Sequence, residues 1–103
     1  MKIQEKFTIN TQEIKIEIVN KLPNQNFGEF NSITNIIKIA EYVEDDDKDL
    51  IKLKDEQILN TLIHEILHVY QWYSTGEYDE TQSCTYAGYI VEFLKSTKLI
   101  ERL

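Results

Sequence analysis

The stretch from residue 58 to residue 69 constrains the fold most, because it is apolar around most of a helix surface and yet contains three strongly polar side chains. The apolar positions are Ile58, Leu59, Leu62, Ile63, Ile66, Leu67 and Val69. A helix with so wide an apolar surface must be largely buried. His64, Glu65 and His68 then form a polar stripe inside a core, at a cost of roughly 2 kcal/mol or more for each unpartnered group. The fold must therefore supply a partner for this stripe.

A single metal ion could serve as that partner. Residues four apart are neighbours on one helix face, so His64 and His68 can present ring nitrogens to one ion. Glu65 lies about 100° round the helix, where it could touch a metal-bound water without being a ligand. These are the two histidines of the chain. We interpret residues 64–68 as a catalytic zinc site, and a core helix with hydrogen-bonded histidines is the alternative.

The first forty residues have a period of two, which predicts strands. Apolar side chains fall on every second position at Phe7, Ile9, Ile14, Ile16, Ile18, Ile37 and Ile39. Asn10 to Gln12 is a predicted hairpin turn, and Pro23 with Asn24 to Gly28 marks the next connection. We expect a short third strand at Gly28 to Phe30 and a further strand at Asn35 to Ala40.

Two helices follow. The first is predicted from Asp55, as its N-cap, to Tyr73, with Gly76 just past its end. The second is predicted to start at Asp79, capped by that carboxylate with Gln82 completing a capping box, and to end near Ser96. Its inward face should contain Ser83, Ala87, Ile90 and Leu94, and the small Ala87 and Gly88 should allow close approach to the first helix. The chain is thus predicted to be one α+β domain spanning residues 1–103, an N-terminal antiparallel β-meander of three to four strands followed by two packed helices.

A catalytic zinc keeps three protein ligands, so the two histidines need a third. The segment Glu80-Thr81-Gln82-Ser83-Cys84-Thr85-Tyr86-Ala87 resembles the glutamate helix of the gluzincin metallopeptidases, the thermolysin-like branch of the zincins. Glu80, Ser83 and Ala87 match that pattern. Cys84 departs from it, because the family has Asp or Asn there to orient a histidine. Glu77 and Asp79 lie in the same loop and compete with Glu80 as ligands.

The resemblance implies a small stand-alone zincin that holds zinc through His64, His68 and Glu80 and hydrolyses peptide bonds with Glu65 as general base. It further implies a peptide or protein substrate extended along an edge strand, here Asn35 to Ala40. The oxyanion could be stabilised by one of several tyrosines, namely Tyr73, Tyr78, Tyr86 and Tyr89. A backbone carbonyl, Asp79 or Asn60 could replace the missing acid at Cys84. The alternative function is a catalytically inactive binding module that keeps the zinc-stabilised fold.

Composition excludes some partners and compartments. The chain has 11 basic and 18 acidic residues and a net charge of -7, which argues against nucleic acid or an anionic membrane as the main partner. The acidic run from Glu41 to Asp49 is predicted to be a solvated loop, because it lacks the ligand spacing and glycine of an EF-hand. One cysteine, Cys84, cannot form an internal disulfide, and we expect it to be inert among core-facing residues. With no signal-peptide or membrane-spanning stretch, we expect a cytoplasmic protein. A chain of this size has little surface for a deep substrate cleft, so it could need a partner domain or act on one dedicated protein.

Overall fold

Strands come first and helices follow, in the order that the sequence predicts. A computed structural model describes residues 3–99. The elements in that range are β1 (Lys6–Ile9), β2 (Gln12–Val19), a 3-10 turn (Pro23–Gln25), β3 (Gly28–Asn31), β4 (Ile36–Ala40), β5 (Tyr42–Glu44), β6 (Leu50–Lys52), α1 (Asp55–Thr75) and α2 (Glu80–Ser96). The predicted α+β class is confirmed. No helix in this range combines the length and the apolarity that a membrane crossing requires.

The main sheet has the strand order β1-β2-β4-β3. β1 and β2 form the predicted hairpin, joined by Asn10 and Thr11, which both have positive φ angles as a tight two-residue turn requires. β2 and β4 are parallel, so the sheet is mixed and differs at this pair from the predicted antiparallel meander. The 3-10 turn after β2 carries the chain past the position of β4, and β4 then returns between β2 and β3. Alternating side chains indicate a buried face but not the order or direction of strands.

One face of this sheet is buried against the first helix, although Ile18, which belongs to the same alternation in β2 as Ile14, is 43% exposed. Ile14, Ile37 and Ile39 are fully buried and share a core with residues of α1 and of the segment before it, namely Leu53, Ile58, Leu62 and Val69. α1 packs on β3 and β4, and α2 packs on α1. The first helix is therefore covered on two sides.

The acidic run contains a small hairpin that the sequence did not predict. β5 and β6 pair antiparallel and flank an exposed loop at residues 45–49. Asp45 Oδ1 accepts hydrogen bonds from the backbone N–H groups of Asp47 and Asp49, both at 2.9 Å, and so closes the loop. Strands of three residues are too short to show a convincing alternation.

The ends of α1 differ slightly from the prediction. Asp55 is the first helical residue rather than the cap, and the N-cap is Lys54, whose backbone N–H donates to Gln57 Oε1 at 2.8 Å. The helix ends at Thr75, two residues beyond the predicted Tyr73. Gly76 follows in the left-handed conformation with φ of 75°, and this glycine cap is the one expected.

α2 starts as predicted, with the backbone N–H of Gln82 donating to Asp79 Oδ1 at 2.9 Å. Its inward face is correct at Ser83 and Ala87 but wrong at Ile90, which is 36% exposed, because the buried stripe continues to Val91. The predicted close approach at Gly88 is also wrong, since a Cβ added there would meet no atom within 4 Å. Leu94 is half-buried.

Alanine at the two helix glycines should have opposite effects. Gly76→Ala should lower the free energy of unfolding by about 1 kcal/mol, because a Cβ is disfavoured at positive φ. Gly88→Ala should raise it by about 0.5–1 kcal/mol, because alanine is the better helix former and open space surrounds the new methyl. Urea denaturation measures both values. A neutral Gly76→Ala would contradict the left-handed cap.

Candidate metal centre

Three predicted ligands converge at the junction of the two helices. His64 Nε2 lies 2.6 Å from Glu80 Oε1, and His68 Nε2 lies 3.0 Å from Glu80 Oε2. The two imidazole Nε2 atoms are 3.1 Å apart. The histidines face the same way because they are one helical turn apart on α1, while Glu80 is the first residue of α2. Three side chains from two elements thus form one small triangle, in which Glu80 contacts each histidine through a different carboxylate oxygen.

The donor set suits zinc. Zinc binds imidazole nitrogen and carboxylate oxygen at about 2.0–2.2 Å, which puts tetrahedral donor atoms about 3.4 Å apart. The separations of 2.6 to 3.1 Å are shorter, so the three side chains need to spread by about 0.3 to 0.8 Å. Glu80 can do so readily, because its side chain is 70% exposed. The residues present therefore fit the ion.

Glu80 is the acidic residue of this loop that reaches the histidines. Asp79, one of its two competitors, uses its carboxylate to cap α2. Glu77, the other, is exposed, and its backbone exchanges hydrogen bonds with the Thr75 hydroxyl. The geometry thus favours Glu80 over both alternatives.

Glu65 lies beside this triangle in a buried position. It is 6% exposed, and a carboxylate oxygen lies within 4.8 Å of a ring nitrogen of both histidines. Burial raises the pKa of Glu65 to about 7, with His68 opposing the rise. The neighbouring carboxylates of Glu80 and Glu29 also raise this pKa. A carboxyl that titrates near neutrality can both accept and donate a proton during a reaction.

The ring of His68 is held by an amide that was not among the partners predicted from the sequence. His68 Nδ1 lies 2.8 Å from Gln71 Oε1 and 3.2 Å from Ser83 Oγ. This acceptor is neither Asp79, Asn60 nor a backbone carbonyl, the three suggested by the sequence. Gln71 is one turn along α1 from His68, so its spacing was a signal, but an amide is not the acid expected in such a place.

Cys84 is not core-facing, contrary to the prediction. It is exposed on α2, and its Sγ lies 3.8 Å from Glu80 Oε1. Desolvation and the adjacent Glu80 carboxylate raise the pKa of the thiol. A protonated thiol is a poor nucleophile, and the inert role expected for Cys84 stays a prediction.

The three donors open into a cleft of about 540 Å³. Besides the ligands and Glu65, its lining comprises Asn26, Phe27, Gly28, Asn60 and Thr61. The strand bordering it is β3, which pairs with β4 on one side and forms an edge of the sheet within the described residues. The predicted edge strand, Asn35 to Ala40, is wrong, because β4 is paired on both sides.

Of the four tyrosines considered for the oxyanion, Tyr78 packs against a ligand. Its ring lies edge-on to the His68 ring with centroids 5.3 Å apart, and Trp72 stacks on it at 5.7 Å. Tyr73 instead packs on the core and donates its hydroxyl to Asn35 Oδ1 at 2.7 Å. Tyr86 and Tyr89 are exposed on α2. An oxyanion role for any of these four tyrosines stays a prediction.

Comparison with known proteins adds nothing to this geometry: no family model, no curated protein sequence and no solved structure matches the chain. The functional interpretation therefore depends on the site itself.

Gly28 allows β3 to approach Glu65, and this close packing is testable. A Cβ added at Gly28 would lie 2.6 Å from Thr61 Cγ2 and 3.2 Å from Glu65 Cγ. Gly28→Ala should lower the free energy of unfolding by about 1–3 kcal/mol through overpacking. Thr61→Ser removes the clashing methyl but keeps the hydroxyl that donates to the Gln57 carbonyl.

The double variant should recover much of the loss, with a coupling energy of at least about 1 kcal/mol in a double-mutant cycle. Chemical denaturation of the four proteins measures that energy. Simple additivity would show that Gly28 and Thr61 are not in contact in solution.

Proposed function

We propose that this chain is a zinc-dependent peptidase. The observation that carries the proposal is the convergence of His64, His68 and Glu80 on one point beside the buried carboxyl of Glu65. Two imidazoles and one carboxylate are a ligand set of catalytic zinc sites, which leave one position open, whereas structural zinc sites are usually closed by four cysteine or histidine ligands. A purely structural site has no use for a further carboxyl beside its ligands. Glu65 therefore supports turnover over the inactive binding module.

The chemistry divides between the ion and the protein. A bound zinc ion polarises a substrate carbonyl and acidifies a water molecule. Glu65 accepts the proton of the attacking water on a carboxylate oxygen and later donates it to the leaving amine. Such general acid-base catalysis contributes about 10²- to 10⁴-fold in rate. Burial raises the pKa of Glu65 to about 7 in the metal-free protein, and a zinc ion beside it would lower that pKa and favour the carboxylate that accepts the proton of water.

The substrate in this proposal is an extended segment of a peptide or protein. Strand β3 borders the cleft and has a strand partner only on its β4 side within residues 3–99, so a substrate strand could pair with its free side. Gly28 brings this strand next to Glu65.

We further propose a cytoplasmic location. The net charge of -7 disfavours nucleic acid and anionic membranes as partners.

Purified protein should contain about one zinc ion per chain. His64→Ala, His68→Ala and Glu80→Ala should each abolish or strongly weaken binding, because the remaining two ligands hold zinc poorly. Glu77→Ala is the matched control, since it removes a nearby exposed carboxylate outside the triangle. Elemental analysis and competition with a chromogenic chelator measure the effects. Equal zinc content in all five proteins would refute the site.

Glu65→Gln should keep the fold and the zinc ion and abolish hydrolysis. The amide has the shape of the carboxyl but cannot accept the proton of water. A degenerate peptide library, incubated with each protein and read by mass spectrometry, provides the test, because such a library samples many cleavage sites at once. If the wild type, loaded with zinc, cleaves no peptide that the variant leaves intact, the inactive binding module is the better description.

A further inference from the structure

We propose that Gln71 is the positioning residue of the metal centre: its amide sets which nitrogen of His68 is free for a metal and locks the start of α2, which supplies Glu80. Gln71 is 7% exposed and contacts both His68 and the first turn of α2. The part of this inference that concerns a metal rests on the proposed function. The part that concerns the hydrogen bonds of Gln71 is independent of that function.

The orientation of the Gln71 amide follows from its backbone partners. The backbone N–H of Asp79 donates to Gln71 Oε1 at 2.9 Å, and Gln71 Nε2 donates to the Asp79 carbonyl at 3.1 Å. A backbone N–H can only donate and a carbonyl can only accept, so exchanging the amide oxygen and nitrogen would break both bonds. Gln71 Oε1 therefore faces His68.

This orientation determines the tautomer of His68. Gln71 Oε1 can only accept, so His68 Nδ1, 2.8 Å away, must carry the proton. In the neutral ring Nε2 then has a free lone pair, and Nε2 is the atom that faces His64 and Glu80. Glu80 would favour a proton on Nε2, but its side chain is 70% exposed and can turn away. Gln71 is buried and held by backbone hydrogen bonds, so the proton stays on Nδ1 of His68.

The same amide fixes the helix that carries the third ligand. One hydrogen of Gln71 Nε2 points to the Asp79 carbonyl, and the second is shared between Gln82 Oε1 at 2.9 Å and Ser83 Oγ at 3.1 Å, both in the first turn of α2. Together with the two bonds to Asp79, these contacts hold the first turn of α2 against α1. Glu80 lies between the fixed residues, so its backbone cannot shift independently of His68. The Gln71 side chain thereby fixes the position of the start of α2 relative to His68 on α1.

An amide can both set the tautomer of His68 and hold the start of α2, whereas a carboxylate could only set the tautomer. A carboxylate at this position would accept from His68 Nδ1 and from the Asp79 N–H, but it would repel the Asp79 carbonyl. Gln71→Glu should therefore keep the tautomer and loosen α2, whereas Gln71→Met removes both effects at nearly unchanged volume. Ser83→Ala tests the rival acceptor of the His68 proton, and Gln82→Met is the control that removes one partner of the amide without touching His68.

The first measurement is the nitrogen-15 spectrum of the His68 ring in metal-free protein, at a pH where both rings are neutral. Wild type, Gln71→Glu, Ser83→Ala and Gln82→Met should all show the proton on Nδ1. Gln71→Met should show it on Nε2, because the charged Glu80 carboxylate, 3.0 Å from Nε2, is a stronger acceptor than the Ser83 hydroxyl, 3.2 Å from Nδ1. A wild-type ring protonated on Nε2, or the same tautomer in wild type and Gln71→Met, would overturn the inference. Should Gln71→Met fail to fold, a proton on Nε2 in Gln71→Glu would overturn it equally.

The second measurement is zinc affinity by chelator competition. Gln71→Met should lose about 10- to 100-fold, the usual effect of removing the partner of a ligand histidine, and Gln71→Glu should lose less. Gln82→Met should stay within about threefold of wild type. A wild type without zinc would refute the proposed function, while the ring spectra would still decide the role of Gln71. Tight zinc binding that Gln71→Met leaves unchanged would overturn the inference about Gln71 but not the proposed function.

Discussion

Burial of α1 on two sides is the constraint on which the rest of the structure depends. One side of the helix packs on β3 and β4 and another on α2, so most of the surface of its middle part is apolar. The polar side chains in this middle part emerge where the two contact surfaces meet, and there they lie beside the start of α2. The site is therefore a product of the packing: the same arrangement that hides Ile58 and Val69 brings His64, Glu65 and His68 to one opening.

Local patterns in the sequence predict much of this arrangement. A period of two identifies Ile14, Ile37 and Ile39 as one buried face, and the spacing of four predicts that the histidines point together, because both rules act within a single element. The parallel pairing of β2 with β4 could not be predicted, since alternation contains no information about which strand lies next to which. The edge strand at the cleft was misassigned for that reason.

The contacts of Gln71 with α2 could not be predicted from the sequence, although its spacing from His68 was a signal. Its amide acts through contacts with Asp79, Gln82 and Ser83, and these exist only because the connection after α1 turns back along the helix. The predicted capping box shows the same effect in a smaller way. Asp79 caps α2 as expected, but its own N–H bonds to Gln71, and Gln82 faces Gln71 as well. Gln71, from the other helix, has replaced the Gln82 side chain as the partner of the Asp79 N–H.

The shortness of the outer strands has a consequence for self-association. Edge strands with free backbone groups are templates for uncontrolled pairing between chains, and proteins limit this with very short edges and charged side chains. The two outer strands of the main sheet, β1 and β3, have four residues each and carry Lys6 and Glu29. A ladder started on β3 has room for only a few rungs, too few to seed a growing aggregate. The molecule can thus leave one sheet edge open at its cleft and still resist stacking into fibrils.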